Sequence, residues 1–321
     1  MRPLPMILGR IADGRRSAEA RTIRSMDCGL CLPMLHAGSS AEGIEAAAEA
    51  AERAGFGTVW TTDHVLVGQD AAEEYGRIFE AVVTLAYLGA RHPRLKLGTS
   101  VIVVPQRQAV VLAKELATID ALTRGRVIAG VGLGWNEHEF GNLGAADRFK
   151  VRGAYLEETV ALWRHLWGGD RSPFRGRFHD LTDFVFEPLP TQGVDLPIWF
   201  GGRVDAALRR AGRLGDGYQA TSTSPASFAK RVPLLRETAA AAGRPMLTLS
   251  ARVRVVPGDG AGAAAPTDGY ALRGTPAQIR AGIAEWAAVG VTDLALYFSS
   301  VEPEAITRDV DWWVREVGLD A

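Results

Sequence analysis

The residues best able to do chemistry sit in short polar clusters, each of which follows an apolar run. Asp63-His64 follows Thr58–Thr61. An imidazole exchanges a proton near neutral pH, so it suits a general acid or base. Adjacent residues on extended backbone point different ways, so one member of the pair can face a ligand while the other holds a loop. For an isolated pair the plainer roles are commoner, with Asp63 capping a turn and His64 packed near the surface.

Gly201-Gly202-Arg203 lies between a strand-like run and a helix. Paired glycines let backbone approach a ligand, and free N–H groups at a helix start attract an anion such as phosphate. An ordinary strand–helix turn would look the same. Glu137-His138-Glu139 offers three side chains of metal-ligand type. No i, i+4 histidine pair accompanies them, so no metal site is expected. The Gly130–Gly134 run lacks a full G-x-G-x-x-G pattern, because Glu137 stands at the third glycine position, and a dinucleotide fingerprint is rejected. No G-x-S-x-G elbow supports a hydrolase. A glycosidase would need two facing carboxylates, and nothing in the spacing singles out Asp63 with Glu137. Trp135 falls in the same polar stretch and could wall a pocket.

Composition excludes several classes. The 321 residues carry a formal net charge of −1, and the pI is about 6.6. That leaves no broad basic field for nucleic acid or anionic membrane. No apolar run approaches the roughly 18 residues needed to cross a bilayer. Arg2, Arg10, Arg15, Arg16, Arg21 and Arg24 make the first 25 residues basic without a secretory apolar core. They read as an extension ahead of a domain that begins at Met26. Cys28 and Cys31 share a strand-like run, where residues three apart face opposite sides. They read as core thiols of a protein in the reducing cytoplasm.

The elements that must position the clusters alternate. Strands are expected at 28–33, 58–61, 96–104, 127–131, 197–200, 218–221, 247–256 and 294–298. Helices are expected near 40–54, 77–90, 109–122, 148–167, 204–214, from 225, 276–289 and 303–317. Ser39 or Ser40, Pro225 and Thr275-Pro276 supply start signals, and Gly55 a stop. Eight strands alternating with eight helices suit a closed (β/α)8 TIM barrel with insertions better than an open sheet. In such a barrel the loops at the strand C-termini form the active face, where the polar clusters fall. Gly168–Val194 reads as an inserted hairpin or excursion. The Gly/Ala-rich 258–269 stretch reads as a lid or a slack loop.

The segments AERAGFGTVWTTDHV (51–65), LKLGTSVIVVPQR (95–107), KELATIDALTRGRVIAGVGLGWNEHEF (114–140), LPIWFGGR (196–203), LGDGY (214–218) and RGTPAQI (273–279) together resemble the bacterial luciferase-like monooxygenase family, and within it the branch that uses the deazaflavin coenzyme F420. The resemblance spans roughly residues 26–300. It implies a cofactor ring in the barrel mouth, its phosphate near Gly201, Gly202 and Arg203, and a non-proline cis bond at Ser100–Val101 behind the ring. It also implies that Asp63 and His64 touch the ring and that Asn136 bonds its polar edge. His64, with Glu137 as second candidate, would handle a proton while a hydride passes between the ring and a small organic substrate. FMN is the alternative cofactor, in a monooxygenase served by a separate reductase. A cofactor-binding protein without turnover is the alternative from another class. The resemblance further implies a homodimer. It does not identify the substrate.

Overall fold

The computed structural model describes residues 26–35, 39–258 and 269–318. The expected extension at 1–25 and most of the 258–269 stretch lie outside the described residues.

Eight parallel strands form a closed barrel. They are β1 (Asp27–Cys31), β2 (Thr58–Thr61), β3 (Lys96–Thr99), β4 (Val127–Gly132), β5 (Ile198–Gly201), β6 (Gly217–Thr221), β7 (Thr248–Pro257) and β8 (Asp293–Tyr297). Each pairs with the next in sequence, and β8 returns to β1 with Asp27 opposite Asp293. The principal surrounding helices are α1 (Ala41–Arg53), α2 (Ala81–Arg91), α3 (Ala109–Thr123), α4 (Arg152–Trp167), α5 (Asp205–Leu214), α6 (Val232–Ala241), α7 (Pro276–Ala288) and α8 (Pro303–Trp312). Ser40 caps α1 by accepting from the Gly43 N–H, and Thr275 with Gln278 forms a capping box at α7.

Strand alternation divides the core in two. Val59, Leu97, Ile198 and Leu249 belong to the large cluster shared with the helices. Cys31, Trp60, Ile128, Trp199 and Ala295 form a separate small cluster, which is the apolar filling of the barrel. The two tryptophan rings lie 5.2 Å apart. They fit because neighbouring strands carry glycine. A Cβ on Gly98 would stand 2.3 Å from the Trp60 ring, and one on Gly217 would stand 2.4 Å from Trp199. Cys28 joins the outer cluster and Cys31 the inner one, and both thiols are free.

Three departures from the sequence pattern matter. The third strand run breaks after Thr99, where Ser100–Val101 is a cis peptide, and resumes as the short strand Ile102–Val103 beside β4. The helix opened by Pro225 splits into Pro225–Ala229 and α6. An extra strand, Ala271–Gly274, continues the sheet beside the far end of β7. Within Gly168–Val194, Phe174–Arg175 pairs antiparallel with Asp180–Leu181 as the expected hairpin.

Gly130 belongs to the close packing of β4 against the end of β3. A Cβ there would stand 1.7 Å from the Thr99 carbonyl oxygen, which is backbone and cannot swing aside. Gly130→Ala is therefore expected to destabilise the protein by about 3 kcal/mol. Thermal unfolding beside Gly141→Ala, whose Cβ would meet nothing within 4 Å and whose φ is not positive, checks this. An unchanged Tm for Gly130→Ala would contradict the packing argument.

Candidate active site

The mouth of the barrel is built on the loops after β2, β3, β4 and β5. Asp63-His64 leaves β2, and the two side chains diverge as extended backbone requires. Both are buried. The Asp63 carboxylate accepts from the Val103 N–H at 2.8 Å and from Arg107 Nη2 at 2.5 Å. Arg107 also reaches Glu80 at 2.7 Å. Asp63 thus ties the β2 exit to the interrupted third strand, and its ring contact, as the resemblance implies it, would come in addition to that tie.

His64 turns to the β4 loop. Its Nδ1 lies 2.8 Å from Glu139 Oε2. Glu139 is fully buried and accepts from the Val65 N–H at 2.6 Å, the Leu66 N–H at 3.2 Å and Gln106 Nε2 at 3.1 Å. Burial pushes this carboxyl upward. The hydrogen bonds from His64, Val65 and Gln106 outweigh burial and hold it at about 2. An ionised Glu139 needs a donor, so His64 carries its hydrogen on Nδ1. Nε2 has no partner among the described residues. The imidazole ring lies 4.5 Å from Tyr75 and 5.9 Å from Trp135, which meet it as two aromatic walls.

Glu139 owes its position to the residue that caps its helix. Asn136 Oδ1 accepts from the Glu139 N–H at 3.1 Å and starts the short helix Glu137–Asn142. Asn136, Glu139 and Phe140 stand at i, i+3 and i+4, on one buried helix face. Glu137 lies on the other face and is exposed. The acid brought to His64 is therefore Glu139 and not Glu137. The capping pattern held the signal, because the third residue of a capped helix shares the face of its buried cap. Arg107, Gln106 and Tyr75 were also missed. They come from other loops and carry no local motif.

Ser100 and Val101 form the floor of the mouth. The Ser100 hydroxyl donates to Gln219 Oε1 at 2.5 Å, and its carbonyl accepts from Arg252 Nη1 at 3.1 Å. Val101 sits over two glycines, so a Cβ on Gly132 or Gly201 would stand 2.3 Å or 3.0 Å from its methyl groups. At the end of β5, Gly202 adopts φ +130, a conformation that favours glycine. Helix α5 then begins at Asp205 with no side chain capping its first N–H groups, and Arg203 is exposed beside it.

Two observations bear on what this mouth could hold. Asn136 Nδ2 is buried without a partner, a donor left for a ligand acceptor. The uncapped start of α5, next to Gly201-Gly202, presents free N–H groups to an anion. These residues fit a planar cofactor that carries polar ring-edge atoms and a phosphate. Among the described residues no cluster suits a metal ion. A separate open cavity of about 540 Å³ lies beside the hairpin, between Gln108, Arg148, Tyr155 and His179, and shares no residue with the mouth.

The family model described as luciferase-like monooxygenase matches residues 26–265. An F420-dependent glucose-6-phosphate dehydrogenase of Mycolicibacterium fortuitum is 38% identical over 199 residues, which cover 60% of this chain and 58% of that protein. One of Nocardia farcinica is 36% identical over 210 residues, 64% and 61% of the two chains. The matched stretch thus spans about three-fifths of the length of these relatives. Among solved structures, an F420-dependent secondary alcohol dehydrogenase in complex with an F420-acetone adduct superposes with a TM-score of 0.77 at 17% identity, covering 92% of this chain and all (100%) of that one. The oxygenating constituent of 3,6-diketocamphane monooxygenase from Pseudomonas putida, in complex with FMN, gives 0.76 at 16% identity, with 92% and 98% covered. Both likenesses establish the barrel fold, and by themselves they do not separate a deazaflavin from FMN.

Proposed function

The chain belongs to the luciferase-like monooxygenase family, and from that premise we propose that it is a coenzyme F420-dependent oxidoreductase acting on a small hydroxyl compound, with a sugar phosphate as the first class to test. The observation that carries the reading is His64, oriented through Nδ1 by an ionised Glu139 and left with a free Nε2 beside the mouth. The names of the partly matched relatives support the deazaflavin and the sugar phosphate.

When bound, the deazaflavin supplies a carbon that accepts or returns a hydride. Asn136 Nδ2 would bond its ring edge, Ser100 and Val101 would lie beneath the ring, and the α5 start with Gly201, Gly202 and Arg203 would hold the phosphate. Oxidation of an alcohol carbon releases one hydride and one hydroxyl proton. His64 Nε2 takes that proton, and in the reverse direction returns it. Glu139 stabilises the resulting imidazolium through Nδ1. Tyr75 and Trp135 wall the substrate side and exclude water. Asp63 acts as support, holding Arg107 and the third strand. Glu137, exposed on the far face of its helix, has no part in the proton transfer.

Titration with coenzyme F420 and with FMN tests the reading. Micromolar binding of the deazaflavin and weak binding of FMN are expected. A screen of sugar phosphates and simple alcohols should then bleach the oxidised cofactor. Tight FMN binding with oxygen consumption would move the protein to the oxygen-activating reading. Binding without any substrate-dependent spectral change would leave a carrier.

Two further parts of the proposal concern assembly and location. The exposed Val83 and Tyr87 of α2 and Val111 and Leu122 of α3 form apolar faces that a second copy would cover in a homodimer. A separate reductase would regenerate the cofactor where the substrate does not. No described helix is long and apolar enough to cross a membrane, and the free, buried thiols fit the cytoplasm.

A further inference from the structure

The inner wall of the barrel carries an apolar cluster around Trp60 of β2 and Trp199 of β5, and a row of polar side chains on β6, β7 and β8. Gln219 on β6, Ser250 on β7 and Asp293 on β8 are register neighbours, with Gly201 of β5 at one end of the row. Strands in a closed barrel are tilted, so a row of register partners climbs around the wall. This row starts at the first residue of β8, at the base, and ends at the last residue of β5, in the mouth. Its polar members are hydrogen-bonded in series. Ser250 Oγ lies 2.6 Å from Asp293 Oδ1, Gln219 Nε2 lies 3.3 Å from Ser250 Oγ, and Gln219 Oε1 lies 2.5 Å from Ser100 Oγ across the lumen. All four side chains are buried.

We propose that Gln219, Ser250 and Asp293 are positioning residues that form a polarity relay, setting whether the Ser100 hydroxyl presents an acceptor or a donor to the bound cofactor. The proposal rests on the reading above, that the cofactor lies against Ser100. Each hydroxyl has one hydrogen, so the direction of the chain is set at its end. An ionised Asp293 can only accept. Ser250 then donates to it, Gln219 Nε2 donates to Ser250, and the amide oxygen accepts the Ser100 proton. Ser100 Oγ has lone pairs alone to offer the mouth. A protonated Asp293 donates to Ser250, and Ser250 donates to the amide oxygen. The Gln219 amide turns over, its N–H donates to Ser100, and the Ser100 proton is released toward the mouth. The Ser100 carbonyl stays fixed throughout, because Arg252 holds it and also donates to Thr62 Oγ1 at 3.3 Å.

Both ends of the relay are within reach at neutral pH. Burial pushes the Asp293 carboxyl up to about 7, the Ser250 hydrogen bond opposes, Asp27 adds and Lys96 opposes. The groups near it are Asp27 and the Cys28 and Cys31 thiols on β1, Lys96 at the start of β3 and Ser250 on β7.

The test is the dissociation constant for coenzyme F420, followed by fluorescence at pH 6 and pH 8. It compares the native chain with Asp293→Asn and Gln219→Leu, each checked for folding by its thermal transition. Native affinity is expected to change with pH by about fivefold more than that of Asp293→Asn, the equivalent of one net hydrogen bond. His64 is the same in both proteins, so whatever it contributes cancels. Asparagine carries no titrating proton and serves as the folded, near-isosteric variant. Gln219→Leu should bind more weakly by about fivefold and show the pH response of Asp293→Asn. Equal pH responses of the native chain and Asp293→Asn, or native affinity in Gln219→Leu, would overturn the relay while leaving the cofactor reading intact. Failure of the native chain itself to bind a deazaflavin would overturn the cofactor reading and the relay with it.

Discussion

Replacing His64 with alanine is expected to lower the single-turnover rate of hydride transfer by about 10²–10⁴-fold, the usual contribution of a positioned acid–base group. Cofactor affinity should change far less, because the phosphate and ring-edge contacts assigned to α5 and Asn136 are untouched. The imidazole clusters with Tyr75 and Trp135, whose rings also lie 5.7 Å from each other, and its Nε2 is unpartnered among the described residues, so the loss falls on proton transfer. Stopped-flow absorbance of the cofactor, with substrate saturating, separates chemistry from binding. An unchanged rate with every active substrate would remove His64 from the mechanism. Glu137→Gln serves as the companion variant, and its rate should stay within about twofold of the native value, as expected of an exposed residue with no described hydrogen bond.

Glu139→Gln carries the second large effect, on stability and rate together. Four donors converge on this buried carboxylate. Glutamine keeps one acceptor oxygen and turns an NH₂ toward groups that are themselves donors. Holding the carboxyl at about 2, against the ordinary 4.5, is worth roughly 3 kcal/mol to the folded state. The sign follows from the depressed value. The stabilisation is present above the ordinary carboxylate range and is lost as pH falls from about 4.5 through about 2. The native chain should therefore unfold at a clearly higher temperature than Glu139→Gln at pH 7, and the gap should narrow toward pH 3. A gap that is constant with pH would mean that Glu139 is not ionised in the fold. The variant should also lose turnover, because His64 is no longer held with its hydrogen on Nδ1. Near-native turnover with lowered stability would reduce Glu139 to a structural role.

These effects bear on how one fold serves different chemistry. The barrel supplies a fixed mouth, in which Gly132 and Gly201 admit Val101 and the α5 start faces an anion. In the proposed reading the substrate side is built from the Asp63–Tyr75 loop and the β4 loop, which would set which proton is moved and for what substrate. The hairpin at 174–181 borders a different cavity.

Much of the architecture is local and was legible in the residues. Apolar runs place the start of every strand to within one residue, and only the third, expected to reach 104, ends more than two residues early, at Thr99. Ser40 and Thr275 with Gln278 mark helix starts, because side-chain oxygens there satisfy N–H groups that the helix leaves open. The polar clusters fall at strand ends, so the position of the mouth follows once the strands close. The partner of His64 was not legible in the same way. Glu137 and Glu139 are two positions apart, both acidic, and the choice between them depends on which helix face meets a loop some 75 residues earlier in the chain. The Arg107 clamp on Asp63 depends likewise on the interruption of the third strand, which the even run from Lys96 to Val104 conceals. Least legible was the polar row from Asp293 to Ser100. Its members lie on three strands and at the break after a fourth, and carry no shared motif. Only the tilt and stagger of the closed barrel bring the base of β8 into line with the mouth, and stagger is a property of the assembled sheet that no single strand contains.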